Sequence, residues 1–154
     1  EDVERLHRQL SAPEPSGGLL LIGRRHVRSN NSWMHNCRRL VKGKDRCTLL
    51  IHTHDANRLG LQAGSKAQIS VAERQVILTV EITEDMMPGV VSIPHGWGHD
   101  RDGTRQSTAS AHACASINDL LSDQDTDPVA GTSVLNGQPV TVKVWQPEQQ
   151  NIPA

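Results

Sequence analysis

The stretch AQISVAERQVILTVEI, residues 67–82, decides the fold class. Ala67, Ile69 and Val71 alternate with polar residues, and after residues 72–75 the alternation returns at Val76, Leu78, Val80 and Ile82. A period of two sends successive side chains to opposite faces, so the pattern predicts two half-buried strands joined by a tight connection. Working outward, further strands are expected at Leu19 to Ile22, closed by Gly23, and at Cys47 to His52. Others are expected at Val90 to Ile93, after the turn Met87-Pro88-Gly89, and around Val140, Val142 and Val144. Helix signals are few. Val3, Leu6, His7 and Leu10 share one face of a short connector helix, and Asp55 to Leu59 reads as a second, with Thr53 as N-cap and Gly60 as its stop. Short strands separated by turns, with one or two brief helices, predict a mainly β protein built as a closed or nearly closed barrel.

Composition agrees with one such core. The chain has 154 residues, 36% of them hydrophobic, enough for a single domain. There are three Trp and no Phe or Tyr, so the core must be aliphatic and rich in β-branched side chains. The organisation expected is a flexible connector over residues 1–18, a barrel over 19–145 and a frayed tail over 146–154. The start at Glu1 and the Pro13, Pro15 and Gly17-Gly18 of the connector read as a piece of a longer polypeptide. No apolar run of membrane-spanning length and no signal-peptide pattern is present, so a cytoplasmic setting without a membrane partner is expected. Cys37, Cys47 and Cys114 form no CxxC pair. They are expected to be reduced thiols acting as small buried hydrophobes, not a disulfide framework, zinc ribbon or iron–sulfur site.

Net charge is −1, yet eight Lys or Arg and a single acid, Asp45, lie between Arg24 and Arg46, which suggests a polyanionic partner. Three segments carry the chemistry. GRRHVRSNNSWMHN, residues 23–36, combines Arg24, Arg25 and Arg28 with Ser29, Asn30, Asn31, Ser32 and Asn36, two His and Trp33. Cations and backbone N–H groups suit phosphate oxygens, and Asn offers donor and acceptor to a heterocycle edge; the alternative is a solvated loop. IPHGWGH, residues 93–99, sets two Gly around Trp97, so the backbone can approach a ligand, or simply form a capped turn. His95 and His99 have a zinc-like spacing, but Pro94, Gly96 and Gly98 exclude the helix that would align them, and zinc is not expected. SINDLLSDQDTDPVAG, residues 116–131, offers carboxylates that could accept paired hydrogen bonds from guanine, or that organise their own turns.

In this order the segments resemble the C-terminal molybdopterin dinucleotide-binding domain of the dimethylsulfoxide reductase, formate dehydrogenase and nitrate reductase family. The resemblance runs from about Leu19 to Trp145. It is carried by RSNNSWMHN (28–36), DANRLGLQAGS (55–65), MPGVVSIPHGWGH (87–99) and SINDLLSDQDTDPVAGT (116–132). It implies a double-psi β-barrel of the aspartate decarboxylase-like kind. It also implies a share in binding two molybdopterin guanine dinucleotides, whose dithiolenes hold molybdenum or tungsten. By motif, Arg24, Arg28, Ser29, Asn30, Asn31, Ser32 and His35 would meet one pterin or its pyrophosphate. His95, Gly96, Trp97, His99 and Asn118 would meet the pterin region, with Asp119 or Asp127 at the guanine end. Metal ligands and iron–sulfur cysteines of the family lie in preceding catalytic domains, the expected partners, so no catalytic residue is expected in this chain. The SNNSWMHN and PHGWGH wording is closest to formate dehydrogenases and nitrate reductases. A different class of function is a stand-alone double-psi barrel binding protein or nucleic acid through the basic loop, although few aromatics are available for base stacking. The loop at 23–36 is expected to be mobile without cofactor.

Overall fold

A computed structural model describes residues 2–11, 18–127 and 129–147. Six strands, β1 (Leu19–Arg24), β2 (Thr48–His52), β3 (Lys66–Val71), β4 (Arg74–Thr83), β5 (Val90–Pro94) and β6 (Gln138–Val144), close into a barrel in the order β1-β5-β2-β4-β3-β6. The deciding stretch forms the β3–β4 hairpin, with Val71 opposite Arg74 and Ala72 at a φ of 49° in the two-residue turn. Two pairs are parallel, β1 with β5 and β2 with β4, and the others are antiparallel. These interlocked parallel pairs make the architecture a double-psi β-barrel.

Alternation puts Leu21, Leu49, Ile51, Ile69, Leu78, Val80, Val91 and Ile93 inside, all fully buried. Leu20 and Ile22, on the opposite face of β1, remain partly exposed. Burial of an aliphatic side chain stabilises by about 1.5–3 kcal/mol, so this interior holds the barrel shut.

Of the helices, α1 (Asp2–Leu10) and α3 (Thr53–Leu59) stand where expected. Two single turns, α2 (Arg38–Val41) and α4 (Ser107–Ser110), and a 3-10 turn at Ile117–Asp119 add to them. Such short pieces have too few residues to show a periodicity. The N-cap of α3 is His52, not Thr53: His52 is extended while Thr53 is already helical, and the His52 Nδ1 accepts the His54 N–H at 3.0 Å. Gly60 ends α3 in the left-handed conformation, φ 67°. Asp55, on α3, is buried and accepts the Gly89 N–H at 2.6 Å, tying the helix to the turn before β5. Burial alone would raise its pKa, but the Gly89 N–H and Arg58 hold it below the usual carboxylate range.

The cysteines depart from expectation. Cys47 and Cys114 form a disulfide, and Cys37 is an exposed free thiol. The bonded pair stands 67 positions apart in sequence, yet barrel closure brings their Cα atoms to 6.3 Å, a proximity that local spacing does not encode. The reduced thiols expected at Cys47 and Cys114 are thus not found. The apolar residues Val3, Leu6 and Leu10 of α1 are exposed. Residues 12–17 of the connector and 148–154 of the tail, whose flexibility was expected, lie outside the described residues. No helix among the described residues is long and apolar enough to cross a membrane.

Candidate functional site

The basic loop leaves β1 and folds into a run of turns. Ser29 and Asn30 N–H groups donate to the His26 carbonyl at 3.1 Å, and Met34 N–H donates to the Ser29 carbonyl at 3.1 Å. Asn30 and Asn31 take positive φ, 43° and 61°, a conformation that Asn tolerates better than most residues. Ser29 is buried with its hydroxyl on the His26 carbonyl, so it shapes the loop and does not face solvent.

Onto this loop the turn after β5 is laid directly. A Cβ at Gly96, whose φ is 88°, would stand 2.3 Å from the Asn31 carbonyl oxygen, so only glycine allows the two backbones to meet. The next residue, Trp97, stacks on His35 with ring centroids 4.2 Å apart, and His35 Nδ1 lies 2.7 Å from His99 Nε2. His99 Nε2 is also 3.0 Å from the Gly96 carbonyl, which can only accept. Both contacts are met when His99 carries its proton on Nε2, His35 Nδ1 accepts, and the His35 proton sits on Nε2. That Nε2 is buried and has no partner among the described residues. Burial, then His99 and Arg46, push the His35 pKa down to about 4, so it is neutral at pH 7.

Arg28 and Trp97 line one groove of about 410 Å³, together with Arg24, Lys44, Arg46 and Glu81. Arg24 is committed to the wall: its guanidinium donates to the Ser92, Thr48 and Arg46 carbonyls and to the Thr48 hydroxyl, at 2.7–3.1 Å. Burial lowers its pKa to about 10, against the opposing pull of Glu81, and it remains a cation. Arg28 and Lys44 are the exposed cations. Lys44 pairs with Glu81, whose carboxylate also accepts from Thr48 at 2.7 Å. Arg46 donates to the Leu40 carbonyl at 2.6 Å and leaves its buried Nε unpartnered.

A larger cavity of about 770 Å³ lies beside the groove and shares Lys44, Asp45, Arg46 and Trp97 with it. The Arg101–Asp119 pair and His112 stand along its wall. Ser32 and His99 line a third cavity, with Trp33 and Arg105.

The structure therefore gathers Arg24, Arg28 and Trp97 in one groove, joins His35, Gly96, Trp97 and His99 by contact, and sets Asp119 on the adjoining cavity. It does not bring His95 there. His95 lines a small crevice with Arg25, and burial followed by Arg25 lowers its pKa. Asn118 is exposed and lines none of these cavities. Asp127 accepts the Val129 and Ala130 N–H groups at 2.9 and 2.6 Å, organising its own turn. Lys44, Arg46 and Glu81 were not singled out from sequence. The excess of positive charge marked the region of Lys44 and Arg46 but not Glu81, and which residues face a shared groove depends on barrel closure. Among the described residues no three His, Cys, Asp or Glu side chains gather into a set that could hold a metal ion.

The family model described as "Molydopterin dinucleotide binding domain" matches residues 19–139. A tetrathionate reductase subunit from Salmonella typhimurium is 27% identical over 110 residues, 60% of this chain and 11% of that protein. The structure is similar to acetylene hydratase from Pelobacter acetylenicus, with a TM-score of 0.70 and 22% identity over 83% of this chain and 18% of that one. The chain thus spans a small part of the length of either relative.

Proposed function

The chain belongs to the molydopterin dinucleotide binding domain family, and we propose on that premise that its groove is one wall of a molybdopterin guanine dinucleotide site in a larger molybdenum or tungsten oxidoreductase. The observation that carries the reading is the convergence of Arg28 and Trp97, distant in sequence, on one groove with Lys44 and Arg46. The donor set fits the group. Arg28, Lys44 and Arg46 offer charge-assisted hydrogen bonds to a pyrophosphate, and Trp97 offers a flat apolar face to a fused heterocycle. The unpartnered buried N–H groups of Arg46 and His35 leave donor capacity beside Trp97 that the protein does not itself use.

When bound, the group supplies a dithiolene-held metal and its two-electron chemistry. This chain contributes binding, orientation and positive potential, and the catalytic domains of the same polypeptide are its partners. On this reading the chain has no turnover by itself. The two relatives carry names for different reactions, one a reductase and one a hydratase, which supports a reading in which residues outside the barrel set the substrate. The wording of residues 28–36 and 93–99 supports a parent of the formate dehydrogenase or nitrate reductase kind.

The test uses the natural polypeptide that contains this chain. Arg28→Ala/Lys44→Ala removes two exposed cations, and the pterin and guanine nucleotide released by denaturation are quantified against protein. At least a tenfold loss of bound dinucleotide is expected, with unchanged far-UV circular dichroism. Full retention in the variant would overturn the proposal.

A further inference from the structure

The Cys47–Cys114 bond joins two unlike parts of the molecule. Cys47 is buried immediately before β2 and follows the Lys44–Arg46 segment that borders the groove, while Cys114 lies in the loop between α4 and the 3-10 turn. Both line the cavity of about 770 Å³, as does Trp97. Backbone hydrogen bonds of residues 112–116 run to their own neighbours and to Gly98, whose N–H donates to the Ala113 carbonyl at 2.8 Å. None described reaches one of the six strands. A Cβ at Gly98, φ 100°, would stand 2.7 Å from the Ser116 Cβ, so the turn carrying Trp97 sits directly on this segment. Trp97 thus leans on a loop whose covalent tether to the barrel is the disulfide.

Cys114 holds a φ of 51°, in the left-handed region that a residue other than Gly, Asn or Asp disfavours. A conformation of that kind persists where its surroundings enforce it, and it can relax once the tether opens. Apolar contact of Trp97, Cys114 and Ala115 with the core remains after opening, so the loop loosens without detaching.

We propose that Cys47–Cys114 is a thiol-controlled latch that positions Trp97: closed, it holds the indole as the common wall of the groove and the larger cavity; open, it frees that wall while the barrel stays folded. Cys114 is the partly accessible partner and faces the open cavity, so a dithiol attacks there. Its thiolate forms a mixed disulfide with Cys114 and expels Cys47 as a thiolate, which takes a proton. The second thiol then displaces Cys114, leaving two protein thiols and one oxidised dithiol, a transfer of two electrons and two protons. The consequence for cofactor rests on the reading of Trp97 as a wall of the pterin site; the mechanical half does not.

Hydrogen exchange of the whole chain, before and after dithiothreitol, tests the mechanical half, with bond state verified by alkylation and mass. Peptides covering 96–99 and 112–116 are expected to exchange at least tenfold faster after reduction, with β3 and β4 unchanged. Unchanged exchange there with the bond open overturns the latch, as does equal loss of protection in β3 and β4, which would make the bond a general staple. Reduction acts on protein already folded, so the outcome does not depend on a variant folding. Cys47→Val/Cys114→Ala should show no response to dithiothreitol, and a response retained in it also overturns the latch. In the natural polypeptide, reduction is expected to lower retained pterin at least tenfold. Faster exchange at 96–99 with pterin fully retained would uphold the latch and sink the placement of Trp97 at the pterin.

Discussion

The barrel and the shelf of loops beside it are built on opposite principles. The barrel hairpin of β3 and β4 is held by a continuous ladder and by Ile69, Val76, Leu78 and Val80 packed inside. The backbone of the hairpin is paired along its length, and one apolar residue can be exchanged for another at modest cost. The shelf, residues 25–36 with 95–119, has little ladder. It is held by two glycines that let backbones touch, a His–Trp–His contact, hydrogen bonds such as Asn36 to the Thr108 and Ala109 N–H groups, and one disulfide. It also keeps a buried donor unpartnered at His35, and Arg46, which borders the groove ahead of β2, keeps another. The barrel has an unpartnered buried atom as well, the Ser92 hydroxyl of β5, so the contrast between the two regions lies in how each is held together.

The contrast can be broken from the barrel side first. Leu78→Ala should lower the free energy of unfolding by about 4 kcal/mol, because the fully buried site cannot collapse around the lost methyls. Urea denaturation would measure it, and in the fraction still folded the exchange pattern of the shelf should be unaltered. A folded Leu78→Ala protein with a disordered shelf would show that the two regions are not separable.

Acid sharpens the contrast from the other side. His35 has a folded pKa of about 4 against an ordinary 6.5, so between these values the unfolded chain binds more protons than the folded one. Its contribution is therefore fully present above pH 6.5 and is lost as pH falls toward 4, by up to about 3 kcal/mol. His35→Asn should flatten the stability profile across that window, while a profile as steep as the parent's would place the titration elsewhere.

Gly96→Ala forces a side chain into the Asn31 carbonyl and onto a positive φ, and should cost about 2 kcal/mol, borne by the shelf. The expected signature is a red shift of Trp97 emission, in a background of Trp33→Phe and Trp145→Phe, at nearly unchanged barrel circular dichroism. The smallest effect belongs to Lys44→Ala. The lysine end of its ion pair with Glu81 is solvated and Thr48 still donates to the carboxylate without it, so stability should change by less than about 1 kcal/mol. Pyrophosphate binding, measured at low salt, should nevertheless weaken about threefold or more as one cation leaves the groove.

The strands were legible because alternation over 67–82 is a local record of which side faces the core. The same holds for Gly60, whose role at the end of α3 needs no distant partner. The cap at His52 was misplaced by one residue, since the choice between adjacent candidates turns on where the backbone leaves the extended region. At the site, the motifs marked Arg28 and Trp97 for the same ligand, and the structure sets both in one groove. By motif Arg24 stands with the ligand-facing cations, although its guanidinium is taken up by the Ser92, Thr48 and Arg46 carbonyls. Lys44, Arg46 and Glu81 belong to none of the motifs.

Sequence by itself determined the number and pattern of strands, the aliphatic core and the region of positive charge, because these depend on neighbours within a few residues. Tertiary structure alone decided which cations face the groove, that Cys47 meets Cys114, and that Gly96 rests on Asn31. Each of these is a contact between segments dozens of residues apart, and barrel closure, not local preference, sets which atoms arrive within reach.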